Sequence, residues 1–129
     1  MAAVRYYSRG GNTKALAEAI AEGAGVPALS VDSPDAIITE ETDVLFIGGA
    51  IYYYGLDKKM KAYLHGLSKD QIKRAVVFST SMMSKHGIDL LKDALKAKGI
   101  PVEEKYFYAK KMPTAAQLEE AKAFAKSFV

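Results

Sequence analysis

The chain contains no cysteine. That excludes disulfides, thiol nucleophiles and thiolate metal sites, and it is compatible with a reducing cytoplasm, the expected location. No apolar run is long enough for a bilayer, since "VLFIGGAIYYYGL" is short and broken by glycines, so no membrane span is expected. Met1 leads into "AAVRYY" without a basic segment and a long apolar core, so no secretory signal is expected. His65 and His86 are the only histidines, and their spacing suits neither a metal site nor an acid–base pair. Neither G-x-x-x-x-G-K-[ST] nor G-x-G-x-x-G occurs, which excludes a Walker loop and the dinucleotide fingerprint.

What is present is the composition of one folded domain. The 129 residues are 50% hydrophobic and 26% charged, enough to build a core and too apolar for disorder. The net charge is +3. Its lysines (Lys58, Lys59, Lys61, Lys69, Lys73, Lys92, Lys96, Lys98, Lys110 and Lys111 among them) are scattered between acids along the chain. Such a pattern reads as a solvated surface with some anion preference, and no nucleic-acid motif accompanies it.

Apolar, β-branched and aromatic runs alternate with helical periodicity. "AVRYY" (Ala3–Tyr7), "PALSV" (Pro27–Val31), "DVLFIGG" (Asp43–Gly49), "AVVFSTS" (Ala75–Ser81) and "VEEKYFY" (Val102–Tyr108) read as strands. "VLFI" and "AVVF" are continuous, as expected for strands covered on both faces. Leu16, Ala19, Ile20 and Ala24 share a helical face, stopped by Gly23 and Gly25. Asp57 caps a helix burying Met60, Leu64 and Leu67. Ile88, Leu91 and Leu95 form a third face, closed by Gly99 and Pro101. Thr114 and Gln117 have capping-box spacing ahead of Leu118, Ala121, Phe124, Ala125 and Phe128. "SPDAIITEE" is a further, weakly marked helix. The alternation predicts an α/β fold, a three-layer doubly wound sandwich around a five-stranded parallel sheet, spanning residues 1–129 as a single domain. In such folds ligands lie beyond the carboxyl ends of the strands, which points to Ser8–Thr13, Gly48–Gly55 and Ser79–Ser84.

The first of these segments is built for a phosphate. Gly10 and Gly11 let the backbone turn sharply and aim its N–H groups inward. Ser8, Asn12 and Thr13 add side-chain donors, and the helix that follows places about +0.5 of an elementary charge at its start. Turn and cap preference alone would also favour Gly, Asn and Thr at a strand-to-helix junction.

"YYSRGGNTKALAEAIA" after a first strand resembles the phosphate loop of the flavodoxin family, Thr/Ser-x-Thr/Ser-Gly-Asn-Thr. Ser8, Gly11, Asn12 and Thr13 match; Gly10 replaces a usual hydroxyl residue, and Arg9 is the neighbour able to compensate. The second segment, "GGAIYYYGLDKKMKAYL", resembles the family's Gly-Ser/Thr-Pro-x-Tyr/Trp-x-x-Gly loop. Gly48, Ile51, Tyr52 and Gly55 fall in register, while Gly49 and Ala50 replace the small polar residue and the proline. This resemblance implies an aromatic ring against the isoalloxazine, Tyr52 first and Tyr53 or Tyr54 second. The three tyrosines are equally at home packed on a neighbouring helix or at a dimer contact. In the third segment, "STSMMSKHG", Met82 and Met83 stand where the family usually has an aromatic residue. Thioethers pack well on rings, and Thr80 and Ser81 would meet the pyrimidine edge through backbone groups. A plain strand-to-helix turn is the other reading.

The resemblance implies the strand order 2-1-3-4-5 and a noncovalent FMN. It implies an electron-transfer flavoprotein that shuttles electrons between redox partner proteins, as a monomer or weak dimer, without a catalytic acid, base or nucleophile. A small FMN-dependent quinone or NAD(P)H oxidoreductase and a cofactor-free interaction module are the alternatives. A phosphorylated receiver domain is excluded, because Ser8 and Arg9, then Gly48 and Gly49, stand where it needs acids. Family members are typically acidic, so this basic chain is expected to be a milder reductant with different partners. Arg5 inside the first strand has no explanation at the level of sequence.

Overall fold

The computed structural model describes residues 1–52, 55–81 and 85–129, with the backbone alone at Ile51, Tyr52 and Ser81. In chain order the elements are β1 (Ala2–Tyr6), α1 (Asn12–Ala24), β2 (Ala28–Ser30), a 3-10 turn (Pro34–Ala36), β3 (Val44–Gly49), β4 (Ile51–Tyr52), β5 (Gly55–Leu56), α2 (Lys58–His65), β6 (Ala75–Ser81), α3 (His86–Ala97), β7 (Phe107–Lys110) and α4 (Ala115–Lys126). β2, β1, β3, β6 and β7 lie in that spatial order in one five-stranded sheet, and every pairing in it is parallel. Counted over the main sheet alone this is the order 2-1-3-4-5. β4 and β5 form a separate antiparallel hairpin, with Tyr52 opposite Gly55.

The continuous apolar strands now have a cause. Along β3, Leu45 and Ile47 face one way and pack with Met60 and Leu64 of α2 and with Leu91 and Leu95 of α3. Val44 and Phe46 face the other way, against Leu16 and Ile20 of α1 and Ala121 and Ala125 of α4. Both faces are buried, so no polar alternation survives. The helix ends follow their local chemistry. Thr114 Oγ1 accepts the Gln117 amide at 3.1 Å while Gln117 Oε1 accepts the Thr114 amide at 3.0 Å, completing the capping box. Gly25 ends α1 in a left-handed conformation, φ 75°, which glycine adopts without a Cβ penalty.

Five elements differ from expectation. β1 and β2 each end one residue sooner, at Tyr6 and Ser30, and α1 opens at Asn12 rather than Thr13. "SPDAIITEE" forms only a 3-10 turn, with Ser33 Oγ accepting the Asp35 amide at 3.3 Å. The last strand lies at Phe107–Lys110 instead of Val102–Tyr108. Val102 makes an isolated bridge to Ala75. Arg74 then pairs with Glu103 at 2.9 Å, and Lys92 donates to the Glu104 carbonyl at 2.9 Å, holding the intervening residues off the ladder.

Arg5 is explained by this architecture. Its side chain is buried on the α2–α3 face, where Nε donates to the Ala36 carbonyl at 2.7 Å and Nη1 to the Val4 carbonyl at 3.0 Å. The Tyr63 hydroxyl donates to the same Ala36 oxygen at 2.5 Å. Arg5 thus fastens the 3-10 turn to the sheet and to α2, replacing the regular helix that its sequence is too polar to hold. Among the described residues no helix is long and apolar enough to cross a membrane.

Candidate functional site

The connections leaving β1, β3 and β6 open side by side at the carboxyl edge of the sheet. The first starts where the Tyr7 amide donates to the Gly48 carbonyl at 3.2 Å, joining the ends of β1 and β3. Ser8 Oγ accepts the Gly11 amide at 3.0 Å, so the turn closes on its own hydroxyl and leaves that hydroxyl's proton free to donate outward. Gly11 has φ 92°, a conformation that disfavours any side chain, and a Cβ at Gly10 or Gly11 would meet nothing within 4 Å. The backbone there is open to close approach. α1 begins on this turn with no side-chain cap and no acid in its first turn. By contrast α2 is capped by Asp57 and α4 by Thr114. The positive end of α1 is therefore left uncompensated by the chain itself.

The second connection is tied to the first by charge. Arg9 Nη2 pairs with Asp57 Oδ2, and Asp57 Oδ1 accepts the Lys59 amide at 2.8 Å to cap α2. The Asp57 side chain is only 6% exposed. Burial is the strongest influence on its carboxyl and opposes ionisation. The Lys59 amide and the Arg9 guanidinium outweigh it and hold the pKa below the ordinary carboxylate value. Around this pair runs a groove of about 510 Å³, bordered by Tyr7, Arg9, Leu56, Asp57 and Lys59. The Lys59 ammonium sits 5.5 Å from the centre of the Tyr7 ring and 3.5 Å from the Asp32 carboxylate.

The third connection is tied to the first by a hydroxyl pair. Thr13 Oγ1 and Thr80 Oγ1 are 2.6 Å apart, with the two residues 1% and 2% exposed. Beside them Ser79 Oγ donates to the Gly49 carbonyl at 2.6 Å.

Of the residues singled out from sequence, Ser8, Arg9, Gly10, Gly11 and Asn12 thus line one turn, with Arg9 and Gly10 exposed. Thr13 is turned into the protein, onto Thr80, rather than toward the surface of the turn. Ala50 precedes the hairpin, which contains Gly55 and the backbone of Ile51 and Tyr52, and Ser81 ends β6. Tyr53, Tyr54, Met82 and Met83 lie outside the described residues. Sequence reasoning named Asp57 only as a cap and missed its pairing with Arg9, since the two stand 48 positions apart. It passed over Tyr7 because the ring reads as the end of a strand. Among the described residues no group of histidines and carboxylates could hold a metal ion.

An open glycine turn, a free hydroxyl proton and an unneutralised helix start suit a phosphate group. They stand at the carboxyl edge of a doubly wound sheet, where ligands of this fold class bind. The flavodoxin domain family model matches residues 3–122, and the chain belongs to that family, whose members are flavin-binding electron-transfer domains. A flavodoxin from the domain Archaea is similar over 98% of this chain and 94% of its own, with 26% identity and a TM-score of 0.86. Oxidised flavodoxin 1 from Bacillus cereus aligns over 98% and 95%, with 21% identity and a TM-score of 0.79, and supports the fold alone. The same holds for the Flv1 flavodiiron core from Synechocystis sp. PCC6803, at 23% identity and a TM-score of 0.81, where the match covers 98% of this chain and 34% of the longer one. No curated protein matches the sequence.

Proposed function

We propose that this chain binds one FMN noncovalently and carries electrons between partner proteins in the cytoplasm. The observation that carries the reading is the start of α1, which has neither a side-chain cap nor an acid and follows an open glycine turn. A phosphate dianion would supply the missing counter-charge. Bound FMN supplies the redox chemistry, and the chain's own residues bind and orient it. The Ser8 hydroxyl, held by the Gly11 amide, donates its proton to a phosphate oxygen. The Asn12 side chain and the first amides of α1 complete the phosphate contacts. The Thr13–Thr80 bond fixes the first connection against the third, and the Arg9–Asp57 pair fixes it against the second. By the family resemblance, Tyr52, with Tyr53 or Tyr54, would supply the ring contact and Met82 and Met83 would replace the family's second aromatic; Tyr53, Tyr54, Met82 and Met83 lie outside the described residues.

The test is a titration of cofactor-stripped protein with FMN and with riboflavin, read by flavin fluorescence. The expected result is saturation at one equivalent of FMN, bands near about 375 and 450 nm in the complex, and far weaker riboflavin binding. A protein that leaves FMN fluorescence unchanged would overturn the reading. Sustained NAD(P)H oxidation by the purified protein alone would instead assign it to the small oxidoreductases.

A further inference from the structure

The lysines that look scattered along the sequence are gathered by the fold. Arg9 follows β1, Lys58, Lys59 and Lys61 follow the hairpin after β3, Lys85 opens the turn into α3, and Lys110 ends β7. All six therefore stand at one edge of the sheet, the carboxyl edge, although five strands and three helices separate the first from the last in sequence. Of the cations at the opposite edge, Lys73 and Arg74 are set among acids. Lys73 lies 3.4 Å from Glu41 and 3.2 Å from Asp43 there, and Arg74 lies 2.9 Å from Glu103.

The first turn of α2 shows that this clustering has a cost. Three of its first four residues are lysines, Lys58, Lys59 and Lys61, and no acid lies in that turn. Each sits on the positive end of the helix dipole, where a cation is disfavoured. Only Lys59 gains a partner, Asp32 at 3.5 Å. Lys58 and Lys61 are exposed and, among the described residues, make no hydrogen bond or ion pair. The one acid at this helix start, the Asp57 cap, is shared with Arg9.

Lys61 also borders both grooves that flank the hairpin. Its Nζ stands 4.0 Å from where a Cβ at Gly55 would lie. On one side is the Arg9–Asp57 groove; on the other, a groove of about 450 Å³ between α2 and α3 has Leu56, Leu64, Leu90 and Ala94 along its floor and Lys61, His65 and Lys98 on its rim. An apolar floor inside a polar rim is the anatomy of a docking face, and Lys61 marks the end of this groove that lies at the carboxyl edge. Met112, 55% exposed in the turn after β7, adds an apolar contact at the same edge.

We infer that the carboxyl edge, centred on Lys58 and Lys61, is the docking face for an acidic redox protein. The inference rests on the electron-carrier reading and adds the location and charge of the partner surface. Docking there brings the partner to the edge where the three connections converge, and the lysines steer it by long-range attraction.

The test uses the FMN-loaded protein, photoreduced and mixed with an acidic two-iron ferredoxin or a basic cytochrome c as probes. With the ferredoxin, the second-order rate constant should fall steeply as ionic strength rises. Lys58→Glu/Lys61→Glu should lower it about tenfold at low salt. Lys96→Glu/Lys105→Glu, which changes net charge equally at the opposite edge, should lower it far less. Equal losses in the two variants, faster reaction with the basic probe, or a rate independent of salt would overturn the inference. Amide-shift mapping of the unreduced protein with the same ferredoxin keeps the two readings separate. Shifts confined to residues 55–61, 85 and 110–112 support the face whether or not the chain takes up FMN, and shifts elsewhere or none at all refute it. Failure to bind FMN counts only against the carrier reading. Duplex DNA producing the same shifts at the same salt would reduce the face to general polyanion attraction and would also refute it.

Discussion

At the scale of single residues, Asp57 and Ser8 do the most. Asp57 caps α2 with one oxygen and holds Arg9 with the other. Replacing it with Ala should cost about 1–2 kcal/mol at neutral pH, the cap and the ion pair being lost together. Asp57→Asn keeps an oxygen for the Lys59 amide and should cost less than half as much. Its folded-state pKa is lowered from the ordinary 3.8. The stabilisation from its charge is therefore complete above the unfolded pKa and lost as pH falls through the folded one. Thermal unfolding from pH 7 to pH 2 should show wild type and Asp57→Asn converging at the acid end, and a constant gap would refute the assignment. Ser8→Ala removes a hydrogen bond to a charged group, worth about 1.5–3 kcal/mol. FMN affinity should fall tenfold or more while riboflavin affinity stays the same. Equal losses for both ligands would show that Ser8 shapes the turn and does not meet the phosphate.

At the scale of elements, α1 and α4 approach closely at Gly23. A Cβ at Gly23 would lie 2.2 Å from the Lys122 carbonyl oxygen, which is backbone and cannot swing away. Alanine is the better helix former by about 1 kcal/mol, but overpacking of this kind costs about 1–3 kcal/mol. The second effect wins here because the obstacle is rigid, so Gly23→Ala should lower the melting temperature by several degrees. A rise would show that the two helices separate freely. This glycine was readable in the sequence only as a possible helix stop, and α1 in fact runs one residue past it to Ala24. Its purpose lies in a contact with a helix almost a hundred positions away.

At the scale of the whole molecule, the net charge of +3 is distributed unevenly. A unit charge about 10 Å from a flavin, at an effective dielectric near 20, changes its energy by about 1.7 kcal/mol, or about 70 mV for one electron. With cations concentrated at the carboxyl edge, adding the second electron to bound FMN should be easier than in acidic family members. Spectroelectrochemical titration should give a less negative second potential at low salt, moving in the negative direction in Lys58→Glu/Lys61→Glu and converging on the variant as salt screens the charges. A potential as negative as that of acidic flavodoxins would contradict this.

The sequence by itself determined the class of fold, the number of main strands and the place of the open glycine turn before α1. Each of these rests on local chemistry: continuous apolar runs, helical stripes, and glycines followed by Asn12 and Thr13. It determined the capping of α2 and α4 for the same reason, because a cap and its amides lie within one turn. The last strand was misplaced by five residues at its start, because β-forming side chains at Val102–Tyr108 do not reveal which of them find a partner strand. Only the tertiary structure decided that Thr13 bonds Thr80, that Arg9 meets Asp57 and that Arg5 fastens the turn at Ala36. Those contacts join residues dozens of positions apart, and no periodicity in a single chain encodes them. The gathering of dispersed lysines at one edge has the same origin, since in a parallel sheet every strand delivers its following turn to the same side.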